Sequence, residues 1–255
     1  MGDHSVNTSR ESESGHESSS RARSPQRTIF AAGSGINSKV FIKHIADMTG
    51  KTNPRICHVP TATGDSPNTI LNWYTNCEDL PVRPYVMRTF INSLFTPLSF
   101  EEQVMSMDAI IVGGGNTLNM MAIWKAQGID VALRKAYDAG IILAGGSAGS
   151  LCWFNEGSTD SRPKELTVVK GLGFLNFSHS PHYLRESGRR PLYHQLIVSG
   201  VMGPGYACDD DAAMIFVDGR LRNAVTLNAQ NHCYYVSADG EKILEHRIEA
   251  EILGA

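Results

Sequence analysis

The chain has 255 residues, 42% of them hydrophobic and 19% charged, with a formal net charge of -3. That composition fits a globular, enzyme-sized domain and gives no reason to expect nucleic acid or an anionic membrane as partner. The longest apolar runs fall short of the ~20 residues that a membrane span needs. Five cysteines without a CxxC pair argue against a disulfide framework or a zinc knuckle, and for a reducing, cytoplasmic compartment. No metal or cofactor is expected.

Residues 1–27 stand apart: eight serines, many charges and one aliphatic side chain, Val6. Such a segment cannot bury enough apolar surface to offset its ordering entropy and is predicted to be a disordered tail. It lacks the apolar centre of a signal peptide, and Asp3, Glu11, Glu13 and Glu17 argue against a transit peptide. Met1-Gly2 opens like a myristoylation site, but Val6 stands where Ser or Thr is wanted. Residues 28–255 are expected to form one catalytic domain.

From residue 28 apolar strands alternate with helix-length segments. Thr28–Ala32, Arg55–Pro60, Pro84–Phe90, Ala109–Val112 and Ile141–Ala144 read as strands. Residues 38–50, 66–79, 117–128 and 129–139 read as helices. This alternation implies βαβ units, and the unalternated apolar strands imply a parallel sheet covered on both faces. A helix is predicted over 191–201, with Pro191 at its start. Beyond it, Ala212–Val217, Asn223–Leu227 and His232–Val236, with turn signals at Asp218-Gly219 and Asp239-Gly240, predict a C-terminal antiparallel β extension. The expected class is an α/β three-layer sandwich with a mostly parallel central sheet.

The chemistry centres on Ile141 to Ser150. An apolar run ends in Gly145-Gly146-Ser147-Ala148-Gly149, a G-x-S-x-G pattern that can place a serine on a sharp strand-to-helix turn with its hydroxyl projecting. A serine so placed needs a general base, a carboxylate to orient it, and N–H donors for an oxyanion. Ala148 N–H is one such donor by the geometry of the turn. The Gly113-Gly114-Gly115-Asn116-Thr117 loop, at another strand end, can present a second; its plainer reading is a helix entry capped by Asn116 or Thr117. His182 and His179, in Ser178-His179-Ser180-Pro181-His182-Tyr183, compete as base. Asp160 and Glu156 both lie between serine and histidine. The 35 residues from Ser147 to His182 match an α/β-hydrolase poorly.

Three stretches, VGGGNTL at 112–118, AGGSAGS at 144–150 and SPHY at 180–183, together resemble the peptidase E family. These are serine peptidases that include aspartyl dipeptidases and, more distantly, cyanophycinases. The resemblance covers roughly residues 28 to 240 and implies a fold like the class I glutamine amidotransferases. It implies Ser147 as nucleophile, His182 as base, and Gly115 and Ala148 as oxyanion donors. It also implies an acid shortly after the nucleophile, which Asp160 fits best while Glu156 stays open. Family dipeptidases hold an acidic substrate side chain with an arginine after the histidine. Arg189 lies near that place, with Arg185 and Arg190 as competitors, and Asn116 is the second expected substrate contact. Gly146 is a departure, since characterised dipeptidases carry a larger residue before the serine. The expected function is a serine peptidase on short peptide substrates, including dipeptides with an acidic first residue, with a homodimer left open. A non-peptide esterase or amidase, or an inactive ligand-binding homologue, are the alternatives.

Overall fold

The structure, a computed structural model, describes residues 1–2, 25–91 and 97–254. Most of the predicted tail, residues 3–24, lies outside the described residues. The first half runs β1 (Thr28–Ala32), α1 (Lys39–Met48), β2 (Arg55–Val59), a 3-10 turn (Thr61–Thr63), α2 (Pro67–Cys77), β3 (Arg83–Val86), α3 (Phe100–Met105), β4 (Ala109–Val112), α4 (Thr117–Gln127), α5 (Ile129–Asp138), β5 (Ile142–Gly146) and the short α6 (Ala148–Leu151). The second half runs β6 (Phe154–Arg162), β7 (Glu165–Lys170), β8 (Leu175–Pro181), α7 (Arg189–Val198), β9 (Gly205–Cys208), β10 (Ala212–Val217), β11 (Arg220–Thr226), β12 (Cys233–Asp239), β13 (Lys242–Ile248) and β14 (Ala250–Ile252).

An eight-stranded sheet has the order β14-β11-β10-β1-β5-β4-β2-β3. From β1 to β3 every pairing is parallel. Successive residues of these strands enter opposite cores, as pleating requires. Ile29, Ala31, Ile110, Val112 and Leu143 pack with α4 and α5 on one face. Phe30, Ala32, Ile111 and Ala144 pack with α1 and α2 on the other. This is why the strands read as apolar runs rather than alternating ones. The α/β class with a mostly parallel central sheet is thus observed.

The antiparallel strands divide between two sheets. β10 pairs with β1 and β11 with β10, both antiparallel, extending the main sheet. Asp218 and Gly219 both have positive φ at their turn, the backbone a two-residue hairpin favours. β12 and β13 instead join β9, β8, β6 and β7 in a separate six-stranded sheet. β6, β7 and most of β8 go unread in the sequence, and on β6 and β8 buried serines stand among the apolar residues. Ser158 Oγ bonds Ser180 Oγ at 3.1 Å, and Ser178 Oγ bonds Tyr193 Oη at 2.7 Å. Hydroxyls that satisfy one another interrupt the apolar alternation that marks a buried strand.

Candidate active site

Ser147 stands between β5 and α6 with φ 56° and ψ -118°, a conformation that costs a non-glycine residue roughly 1–3 kcal/mol. It is held from both sides. Its N–H donates to the carbonyls of Ala32 and Gly33, and its own carbonyl accepts from Ser150 N and Leu151 N. Ser150 Oγ donates to the same carbonyl at 2.9 Å. The glycines of the pattern are there because backbone meets backbone. A Cβ on Gly145 would lie 1.9 Å from the Gly149 carbonyl oxygen, and one on Gly149 2.1 Å from that of Val112.

His182 follows the last residue of β8 and also has a left-handed backbone, φ 53°. Its Nε2 lies 2.9 Å from Ser147 Oγ, and its Nδ1 2.5 Å from Asp210 Oδ1. A carboxylate can only accept, so Nδ1 carries the proton and Nε2 is free to accept from the serine hydroxyl. β8 and β9 are parallel with Pro181 opposite Cys208, so His182 and Asp210 leave adjacent strand ends side by side. Burial would raise the Asp210 carboxyl. The Arg185 guanidinium and His182 outweigh it and hold the carboxyl below its ordinary value. Asp210 is therefore an ionised, largely buried partner for the imidazole.

The glycine loop lies against the serine. A Cβ on Gly114 would sit 3.1 Å from Ser147 Cβ and 3.6 Å from Oγ. Gly115 follows with φ 136°, its Cβ position blocked at 2.4 Å by the Ala62 carbonyl oxygen. Ala148 N–H opens α6, where a helix leaves its amides without intrahelical acceptors. Asn116, read from the sequence as a substrate contact, is committed elsewhere. Its Oδ1 caps α4 by accepting from Asn119 N, and its Nδ2 donates to the Ser161 carbonyl.

The sequence candidates for the acid are not brought to His182. Asp160 is two-thirds exposed and faces Arg189 at 3.3 Å. Glu156 pairs with Lys170 and accepts from Gly203 N. Both lie on β6, which pairs in parallel with the strand that ends just before the histidine, but their carboxylates are engaged by Lys170 and Arg189 rather than by the imidazole. The carboxylate at the imidazole, Asp210, comes after the histidine in the chain. The signal for it is the triple acid Asp209-Asp210-Asp211 directly following a buried apolar strand. His179, the competing imidazole, is fully buried and stacked on Phe154 at 4.3 Å. It lies between the Tyr206 carbonyl and Ser150 Oγ, and burial pushes its pKa down to about 3, so it braces the elbow as a neutral group.

The three arginines are all engaged. Arg189 is 2% exposed; its Nε donates to Glu186, its Nη1 to the Ser158 carbonyl, and its Nη2 faces Asp160. Arg190 forks onto Glu245 through Nε and Nη2. Arg185 is exposed but tied to Asp210. Among the described residues no group of three or more His, Cys, Asp or Glu side chains is arranged to hold a metal ion. Among them too, no helix is long and apolar enough to cross a membrane.

Comparison with known proteins gives the family and the fold. The model of peptidase family S51 matches residues 29–224. The chain is 42% identical over 214 residues to the uncharacterized peptidase YgaJ of Bacillus subtilis (strain 168), covering 83% of this chain and 90% of that one. Its fold is similar to the crystal structure of a peptidase from an acI-B1 Actinobacterium, with a TM-score of 0.68 at 17% identity over 88% of this chain and 94% of the other. It is also similar to that of a Listeria monocytogenes EGD-e protein described as a peptidase E, with a TM-score of 0.54 at 15% identity over 88% and 100%. An elbow serine on a flavodoxin-like sheet and a family match across more than half the sequence lead to one conclusion: the chain belongs to peptidase family S51, the peptidase E family, and is a serine peptidase.

Proposed function

We propose that Ser147, His182 and Asp210 are the catalytic triad and that the enzyme hydrolyses short peptides. The observation that carries this reading is the unbroken hydrogen-bond chain from Ser147 Oγ through both nitrogens of His182 to Asp210. Ser147 Oγ attacks the scissile carbonyl carbon while its proton passes to His182 Nε2. Asp210 keeps the other proton on Nδ1 and stabilises the imidazolium. The oxyanion lies toward the Gly114-Gly115 loop and Ala148 N–H, each donor supplying roughly 3 kcal/mol of transition-state stabilisation. The Nε2 proton then goes to the departing amine. Water, deprotonated by the same nitrogen, attacks the acyl-serine, and the acid leaves as Ser147 regains its proton.

The finer reading, dipeptides with an acidic first residue, requires an arginine with a free edge. Arg189 is buried and its three nitrogens face Glu186, Ser158 and Asp160. An acidic side chain would have to displace Asp160, so we infer that an acidic first residue is accepted without being required. Hydrolysis of a dipeptide panel by wild type, Ser147→Ala and Asp210→Asn tests the proposal. Loss of cleavage in both variants is expected; full activity in Asp210→Asn would reject the triad, and cleavage of acyl esters alone would reject the peptide substrate.

A further inference from the structure

The family match ends at residue 224, yet the segment beyond it reaches back to the turn that presents His182. Tyr183, the residue after that histidine, is fully buried. Its hydroxyl donates to Glu245 Oε2 at 2.5 Å and lies 2.7 Å from His194 Nε2. Glu245 stands on β13, part of the C-terminal hairpin. It accepts in addition from Arg190 at 2.8 and 3.1 Å and from His194 at 3.0 Å. Burial would raise its carboxyl, but these donors hold it below the ordinary value, so the tether is a charge-assisted one.

The same turn is tied at a second point. Tyr183 N donates to the Cys208 carbonyl and Leu184 N to Asp209 Oδ1 at 3.1 Å. Asp209 is fixed in turn by His232 N and Tyr234 Oη, again from residues past 224. A turn that begins on a left-handed histidine has a strained backbone, and such backbones persist only where neighbours over-determine them. The neighbours here are a hydroxyl–carboxylate contact and two backbone tethers.

We propose that Glu245 is a positioning residue: through the Tyr183 hydroxyl it fixes the turn that carries His182, so the C-terminal hairpin is part of the active-site framework. The proposal rests on the triad reading above. It differs from ordinary core stability because Tyr183→Phe keeps the aromatic packing and removes only the hydroxyl.

The test is steady-state cleavage of a dipeptide and fluorophosphonate labelling of Ser147, in full-length Tyr183→Phe, Glu245→Ala and Glu245→Gln, with melting curves for each. Tyr183→Phe and Glu245→Ala are expected to lower kcat by about 10- to 100-fold, the range for a misplaced catalytic group, with KM unchanged. Glu245→Gln keeps an acceptor for the hydroxyl and is expected within about threefold of wild type. The double variant should be no worse than the weaker single, because one contact is removed twice. The proton on His182 Nδ1, observed by NMR, should be sharp in wild type and broadened in Tyr183→Phe. Wild-type rates and an unaltered His182 resonance in Tyr183→Phe would overturn the proposal, as would equal losses in Glu245→Gln and Glu245→Ala. If wild type itself neither cleaves nor labels, the peptidase reading fails, and the His182 resonance alone decides whether the hairpin positions the imidazole.

Discussion

Asp210 holds His182 from a strand end 28 positions further along the chain, with 2.5 Å between carboxylate and Nδ1. Asp160, on the serine's side of the histidine in sequence, meets Arg189 instead. The two carboxylates therefore separate cleanly by mutation. Asp210→Asn is expected to lower kcat by about 10³- to 10⁴-fold, because an amide no longer enforces the productive tautomer. Asp160→Asn removes one of three partners of Arg189, which keeps Glu186 and the Ser158 carbonyl, and should leave kcat within about threefold. Rates on one dipeptide substrate check both; a large loss in Asp160→Asn with none in Asp210→Asn would reverse the assignment.

Ser147 and Asp210 mark what the sequence carries and what it does not. The elbow is legible in five residues because its requirements are local: an apolar strand, a turn, and two glycines where backbone contacts backbone. The parallel half of the sheet is legible for the same reason, since strands buried on both faces are apolar throughout. The acid is set by a parallel pairing between β8 and β9, and one face of β8 is formed by the buried, bonded serines Ser178 and Ser180. A pairing partner is a non-local fact, and buried serines blur the period that would have announced the strand. Arg189 shows the same limit from another side. Its position after the histidine suggests a substrate contact, while its burial and its three partners appear only in three dimensions.

The strained serine gives a stability signature. Ser147→Ala and Ser147→Gly are both expected to be inactive, but only glycine takes φ 56° freely. The glycine variant should exceed the alanine variant by roughly 1–3 kcal/mol, a rise in Tm of about 2–12 °C for a chain of this size. Gly114→Ala provides the complementary case. Its Cβ would press on Ser147 Cβ at 3.1 Å, so the fold should persist while fluorophosphonate labelling slows by about 10- to 100-fold. Calorimetry and labelling rates check the pair; identical Tm values for the two serine variants would mean that the elbow is not strained at this residue.

Arg189→Met is expected to act on the fold rather than on selectivity. The change leaves the buried Ser158 carbonyl without its Nη1 donor, a loss of about 1–3 kcal/mol, while Glu186 and Asp160 can turn to water. The ratio of Asp-Leu to Leu-Leu cleavage should be unchanged. Arg189→Lys should not restore stability, since one ammonium cannot reach three separated partners. A selective loss of Asp-Leu cleavage in Arg189→Met would restore the acidic preference that the burial of this side chain argues against.

Two buried imidazoles set the acid limit of the fold. Burial lowers His58 to about 4 and lowers His179 to about 3. In an unfolded chain both titrate near 6.5. Between those values the unfolded state binds more protons than the folded one, so stability is full above pH 6.5 and falls as the pH drops. Each histidine contributes up to ~1.4 kcal/mol per pH unit, and the half-buried His44, also lowered by burial, adds in the same direction. His58 can be replaced without losing a well-formed contact. Neither of its nitrogens has a hydrogen-bond partner among the described residues, and its ring lies stacked on Trp73 at 5.3 Å. His58→Phe keeps that stack and removes an unsatisfied polar group, so it should stabilise the protein by about 1–2 kcal/mol at pH 7. It should also remove close to one proton from the uptake on unfolding between pH 6 and 5. Urea unfolding at pH 7, 6 and 5 measures both quantities. A destabilised His58→Phe with an undiminished pH slope would mean that this imidazole has a partner that the packing around it does not supply.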